Sequence, residues 1–172
     1  MCLAKMWKKA LAVFILVIAV FVVFSAVNYR RDMKHAHELL AAFDAETTDT
    51  SFGEMSFVQS GSVEGEPVIL VHGIFGGYDQ ASVSLNSLLS DDYRKIAPSR
   101  FGYPGTTRPE EPTPENQADQ FIELMDALGV ERAYFIGTSA GGPATYQVAL
   151  RHPSRVKGIV PLSADAPYEK KS

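Results

Sequence analysis

The sequence holds one cysteine, Cys2, and four histidines in 172 residues. A single cysteine excludes an intramolecular disulfide, so the redox compartment is not legible from cysteine pairing. The apolar and small residues that a lipoprotein signal places before its cysteine are also missing. His35 and His37 alternate in a charged segment without further ligands nearby, so neither a metal site nor a cofactor is expected. Basic residues are outnumbered: Lys and Arg total 16 against 20 Asp and Glu, a net charge of -4. There is no basic patch with interleaved aromatics, which argues against a nucleic-acid partner.

Charge is absent altogether from residues 10–27, ALAVFILVIAVFVVFSAV. At about 1.5 Å per residue this run is just long enough to cross most of a hydrocarbon core of about 30 Å. It has no polar face of the kind a core helix would show. Lys5, Lys8 and Lys9 precede it as a basic leader (residues 1–9), and the small residues that favour cleavage are poorly placed around Phe24-Ser25-Ala26. An uncleaved signal-anchor over 10–27 is therefore expected, ahead of a cleaved leader or a buried soluble helix. Arg30, Arg31 and Lys34 nearly balance the leading lysines, so orientation rests on the basic leader staying in the cytoplasm. That places the remainder outside it, or secreted if the leader is cleaved.

Residues 28–51 are expected to form a juxtamembrane helix over 33–43 and a polar linker over 45–51. Residues 52–172 carry a different rhythm. A half-exposed strand is expected over 52–60. Val68 to Val71 is a continuous apolar run of the kind buried on both faces of a parallel sheet. Helices are expected over 82–89, from the Thr113 cap to Gly129, and over 140–151, and strands over 93–97, 133–136 and 156–162. Thr113-Pro114 is a helix start, and Gly129 ends that helix as a left-handed cap would. Alternating strands and helices imply an α/β fold with a mostly parallel sheet and flanking helices. Pro161 and the polar end of the sequence suggest a chain leaving the sheet for a loop.

Two segments carry chemistry. Gly137-Thr138-Ser139-Ala140-Gly141 joins an expected strand to an expected helix, the context a G-x-S-x-G elbow requires. Flanking side chains would collide with neighbouring backbone in so tight a turn, hence Gly137 and Gly141. Ser139 is the candidate nucleophile, beside a helix N-terminus that favours developing negative charge. Upstream, His72-Gly73-Ile74-Phe75-Gly76-Gly77 follows a buried strand and leaves backbone N–H groups free. The N–H groups of Ile74 and Ala140 are candidate donors of an oxyanion hole, with His72 and Gly73 shaping the turn.

With VILVHGIFGG, APSRFGYPGT, FIGTSAGG and RHPSRVKGIVPLSA in this order, the sequence over about 57–167 resembles the α/β-hydrolase fold enzymes with a serine nucleophile. The resemblance implies attack by Ser139 on a small-molecule ester, thioester or amide carbonyl, an acyl-enzyme and hydrolysis. The family order of nucleophile, acid and histidine is not met. His152 is the only histidine after Ser139, at the far end of the following helix, and is expected to be structural. Asp165 is a candidate acid. The resemblance further implies that the lid, remaining strands, acid and histidine lie outside the sequence read here, leaving an incomplete α/β-hydrolase fold with weak or no turnover. The alternative expectation is a non-catalytic, membrane-anchored binding or interaction module of the same fold. The substrate and the oligomeric state are not legible.

Overall fold

The computed structural model describes residues 2–164. It contains two compact units, residues 1–42 and residues 43–172. The first is built on one helix, α1, Cys2–Ala41. Neither proline nor glycine interrupts the sequence between the apolar run and Ala41, so nothing breaks the helical ladder there. The separate short helix expected over 33–43 is thus the last part of α1. Met6–Ala41 is long and apolar enough to cross a membrane, and side chains such as Leu16, Val20, Phe21 and Phe24 are exposed.

The second unit is a six-stranded sheet of β1 (Ala45–Thr50), β2 (Gly53–Gly61), β3 (Pro67–Val71), β4 (Arg94–Pro98), β5 (Ala133–Thr138) and β6 (Val156–Leu162), in the order β1-β2-β4-β3-β5-β6. Helices α2 (Tyr78–Leu88), α3 (Pro114–Ala127) and α4 (Gly142–Arg151) connect β3 to β4, β4 to β5 and β5 to β6. Strands β4, β3, β5 and β6 are parallel, and β1 and β2 are antiparallel additions.

The polar stretch 45–51, expected as a linker, is a correction: residues 45–50 are strand β1, paired from Ala45↔Val58 to Thr50↔Gly53. Its threonines favour extended backbone, and a tight turn through Gly53, at φ 101, returns the chain into β2. The strand lies at the sheet edge with mostly exposed residues, so it carries none of the apolar alternation that marks a half-buried strand. The second unit accordingly begins at Phe43 rather than at residue 52. The strand expected over 156–162 is β6, which runs through Pro161 to Leu162, with Pro161 opposite Gly137. Pro161 is tolerated on the outermost described strand, where one row of N–H groups needs no partner.

From β3 the chain steps to β4 on one side and then crosses to β5 on the other. Right-handed crossovers therefore put α2 on one face and α3 and α4 on the opposite one. Phe121, Leu124 and Met125 of α3 and Ala144 and Val148 of α4 close a core over Ile69, Ile96 and Phe135. Leu85 of α2 and Leu70 of β3 are also fully buried. The direction change makes the carboxyl ends of β3 and β5 the switch point, where crevices open in such sheets.

Candidate active site

Both chemical segments meet at that switch point. The first, 72–77, leaves the end of β3; the second, 137–141, leaves the end of β5, its hydrogen-bonded neighbour. Ser139 has φ 49, a left-handed conformation rare for a residue with a side chain. Strain of this kind persists only where the surroundings enforce it. Here they are two close approaches. A Cβ on Gly137 would lie 2.5 Å from Thr145 Oγ1, and one on Gly141 would lie 2.2 Å from the carbonyl oxygen of Val71. The elbow is wedged between its own helix and the end of β3, and Ser139 itself is exposed at the sheet edge.

The turn after β3 comes within contact of the serine, since a Cβ on Gly73 would lie 3.5 Å from Ser139 Cβ. Its first residue, His72, is fully buried. His72 Nε2 accepts from the N–H of Arg100 at 2.9 Å, so the ring proton sits on Nδ1, 2.8 Å from the carbonyl of Gly73. Burial lowers the His72 pKa from 6.5 to about 4, against the raising effect of the Gly73 hydrogen bond. A neutral imidazole with both nitrogens engaged shapes the turn and takes no proton from Ser139. Gly73 N–H donates to Gln80 Oε1 at 3.1 Å, which ties the turn to α2.

Three side chains that sequence reading did not single out complete the arrangement. Arg100 donates through Nη1 to the carbonyl of Ala140 at 3.0 Å, and through Nη2 to the carbonyl of Gly73 at 3.0 Å and to Tyr103 Oη at 3.2 Å. Tyr103 packs edge-on against His72 and donates to the carbonyl of Ile74 at 3.2 Å. With Gln80, these residues lie in the helix and loop that follow β3 and β4. The local signals were their nearness to glycine turns and, for Arg100 and Tyr103, a place in the APSRFGYPGT segment. Beside Ala140, a cavity of about 180 Å³ is lined by Arg100, Phe101, Thr113, Gln117 and Pro143. Gln117 Oε1 accepts from the N–H of Phe101 at 2.6 Å and so holds one wall.

The other expected residues fall away from this point or outside the description. His152 caps the far end of α4, where Asp119 accepts hydrogen bonds from Arg151 at 2.6 Å and lies 2.6 Å from His152 Nε2. The Arg151 hydrogen bond, and then that of His152, lower the Asp119 pKa. The intervening 10-residue helix puts this cluster about 15 Å from the elbow. Asp165 lies outside the described residues. No group of three or more potential metal ligands occurs among the described residues.

Residues 66–171 match the family model of the alpha/beta hydrolase fold. The chain belongs to the α/β-hydrolase family. It is 31% identical over 100 residues to a 2-hydroxymuconate semialdehyde hydrolase of Pseudomonas putida, covering 56% of this chain and 36% of that protein. An alpha/beta hydrolase fold protein from Nakamurella multipartita superposes with a TM-score of 0.66 at 35% identity, over 74% of this chain and 46% of that one. A hydrolase from Pseudomonas aeruginosa gives a TM-score of 0.66 at 25% identity, over 74% and 48%. This α/β-hydrolase spans less than half the length of the curated relatives it matches.

Proposed function

We propose that this α/β-hydrolase carries the nucleophile and oxyanion half of a serine hydrolase acting on a carboxylic ester, thioester or amide, on a chain held at a membrane by residues 10–27. The observation that carries the reading is the forced left-handed Ser139 lying in contact range of the Gly73 turn. Ser139 Oγ attacks the acyl carbon and its proton passes to a base. The carbonyl oxygen takes the charge and is stabilised by the N–H groups of Ile74 and Ala140. The bond to the leaving group then breaks, and water releases the acid from the acyl-enzyme. Hydrolase names among the relatives fit a hydrolytic reaction. The half-apolar cavity beside Ala140 has the size and place to take a small acyl or leaving group.

Among the described residues of the second unit no histidine is poised to serve as the base. His72 is fully engaged, and His152 is bound to Asp119. A serine hydroxyl without a base is a weak nucleophile, so the chain alone is expected to react slowly with a fluorophosphonate. Free imidazole, titrating near neutrality, can take the proton instead. Mass spectrometry of the full chain in detergent should find an adduct on Ser139 whose rate of formation rises with imidazole concentration, and none on Ser139→Ala. An imidazole-independent rate, or labelling spread over other hydroxyls, would overturn the reading.

A further inference from the structure

We propose that Arg100 is a positioning residue that aims and polarises the backbone N–H of Ile74 as an oxyanion donor, and in the same fork ties that donor to the elbow. The inference rests on the serine-hydrolase reading and adds to it a residue that no motif assigned. The Gly73 carbonyl and the Ile74 N–H belong to one peptide plane. In a trans peptide the two groups point in opposite directions, so whatever fixes the carbonyl fixes the N–H. Two donors hold that carbonyl: His72 Nδ1 at 2.8 Å and Arg100 Nη2 at 3.0 Å. The Tyr103 hydroxyl, which accepts from Arg100, donates to the next carbonyl, that of Ile74. The Ile74 peptide is thus gripped on the side away from the substrate.

The second arm of the guanidinium reaches Ala140, whose own N–H is the other candidate donor, and binds its carbonyl at 3.0 Å. One rigid planar group therefore spans the carboxyl ends of β3 and β5 and fixes the separation of the two donors. Lysine, with a single ammonium, cannot reproduce that fork. The charge acts as well as the geometry. Hydrogen bonds in series polarise one another, and a cation on the Gly73 oxygen makes the Ile74 N–H a stronger donor. The guanidinium also sits 4.9 Å from the centre of the Tyr103 ring, and its Nε is buried with no partner in the fold. Leaving a buried donor unpaired is costly, so packing alone does not account for an arginine here.

The variant Ser139→Cys separates this role from general integrity, because a thiolate needs no added base to react. Acylation of the thiol by a p-nitrophenyl ester passes through an oxyanion; alkylation by iodoacetamide does not. Both rates are measured at residue 139 by mass spectrometry in the full chain that also carries Cys2→Ala. Arg100→Gln should lower the acylation-to-alkylation ratio about tenfold or more, up to the 10²–10³ that outright loss of an oxyanion donor costs, while alkylation changes less than about twofold. Arg100→Lys should fall between, with its charge kept and its fork lost, and it carries the test if Arg100→Gln does not fold. A ratio unchanged in Arg100→Lys, and in Arg100→Gln where it folds, overturns the role of Arg100. Failure of the imidazole experiment overturns the serine-hydrolase reading independently.

Discussion

At the scale of single residues, His72 shows how a titratable group can sit beside a reactive serine and serve only the scaffold. Its neutral form is built in: Nδ1 donates to Gly73, Nε2 accepts from Arg100, and the ring is fully buried. Protonation would set a donor against the Arg100 N–H and bury a charge, which is why the folded pKa falls from 6.5 to about 4. A depressed histidine pKa means that the unfolded chain binds the proton first. Its stabilisation is complete above about pH 6.5 and is lost as pH falls toward about 4, up to about 3 kcal/mol. Urea midpoints of the full chain in detergent should therefore drop between about pH 7 and about pH 4.5, and the drop should shrink in His72→Asn. That variant should also be less stable by about 1–3 kcal/mol near neutrality, because the Arg100 N–H and the Gly73 carbonyl lose partners. An equal pH slope in both proteins would remove His72 as the acid-sensitive group. The motif placed His72 in the turn, but its tautomer and its Arg100 partner were not legible. They depend on contact between segments far apart in the sequence.

At the scale of elements, the glycines of the elbow separate steric from conformational demand. Gly141 has an ordinary φ of -78, yet a Cβ there would lie 2.2 Å from the Val71 carbonyl. Backbone cannot yield as a flexible side chain can, so Gly141→Ala should shift β3 against α4, costing about 3 kcal/mol or more. Gly129 is the converse case, with φ +65 and open space around its missing Cβ. Gly129→Ala should cost only about 1 kcal/mol, the strain of a left-handed alanine. Thermal unfolding of both variants checks the order, and a larger loss at Gly129 would sink this account of the elbow. Local rules made these elements legible in sequence: the Thr113 side chain accepts from Asn116 N–H as an N-cap should, and Gly129 follows the end of α3. Strand β1 escaped because its pairing with β2 is tertiary and its side chains are mostly exposed. Apolar alternation had nothing to report there.

At the scale of the whole molecule, the α/β order, the parallel core of the sheet and the meeting of the 72–77 and 137–141 turns were all legible, because alternating elements and right-handed crossovers leave few topologies. The Arg100 fork was not, since nothing local marks an arginine that reaches two carbonyls in the turns after different strands. The first unit poses a separate physical question. A helix with no charge over residues 10–27 and with exposed Leu16, Val20 and Phe21 has no polar face to turn to water. Trp7 and Tyr29, both exposed, stand at the two ends of the run, about 33 Å apart along the axis, a spacing that suits aromatic residues at two membrane interfaces. An arginine near the middle of a spanning segment costs about 2.5–3.5 kcal/mol, and two of them outweigh most of the insertion energy of such a run. The full chain expressed in bacteria should stay with the membranes through alkaline carbonate and come off in detergent. The double variant Leu16→Arg, Val20→Arg should move into the carbonate-soluble fraction. If instead the unaltered chain washes off in carbonate, residues 10–27 do not hold it in a bilayer, and the apolar surface of α1 must be covered by protein.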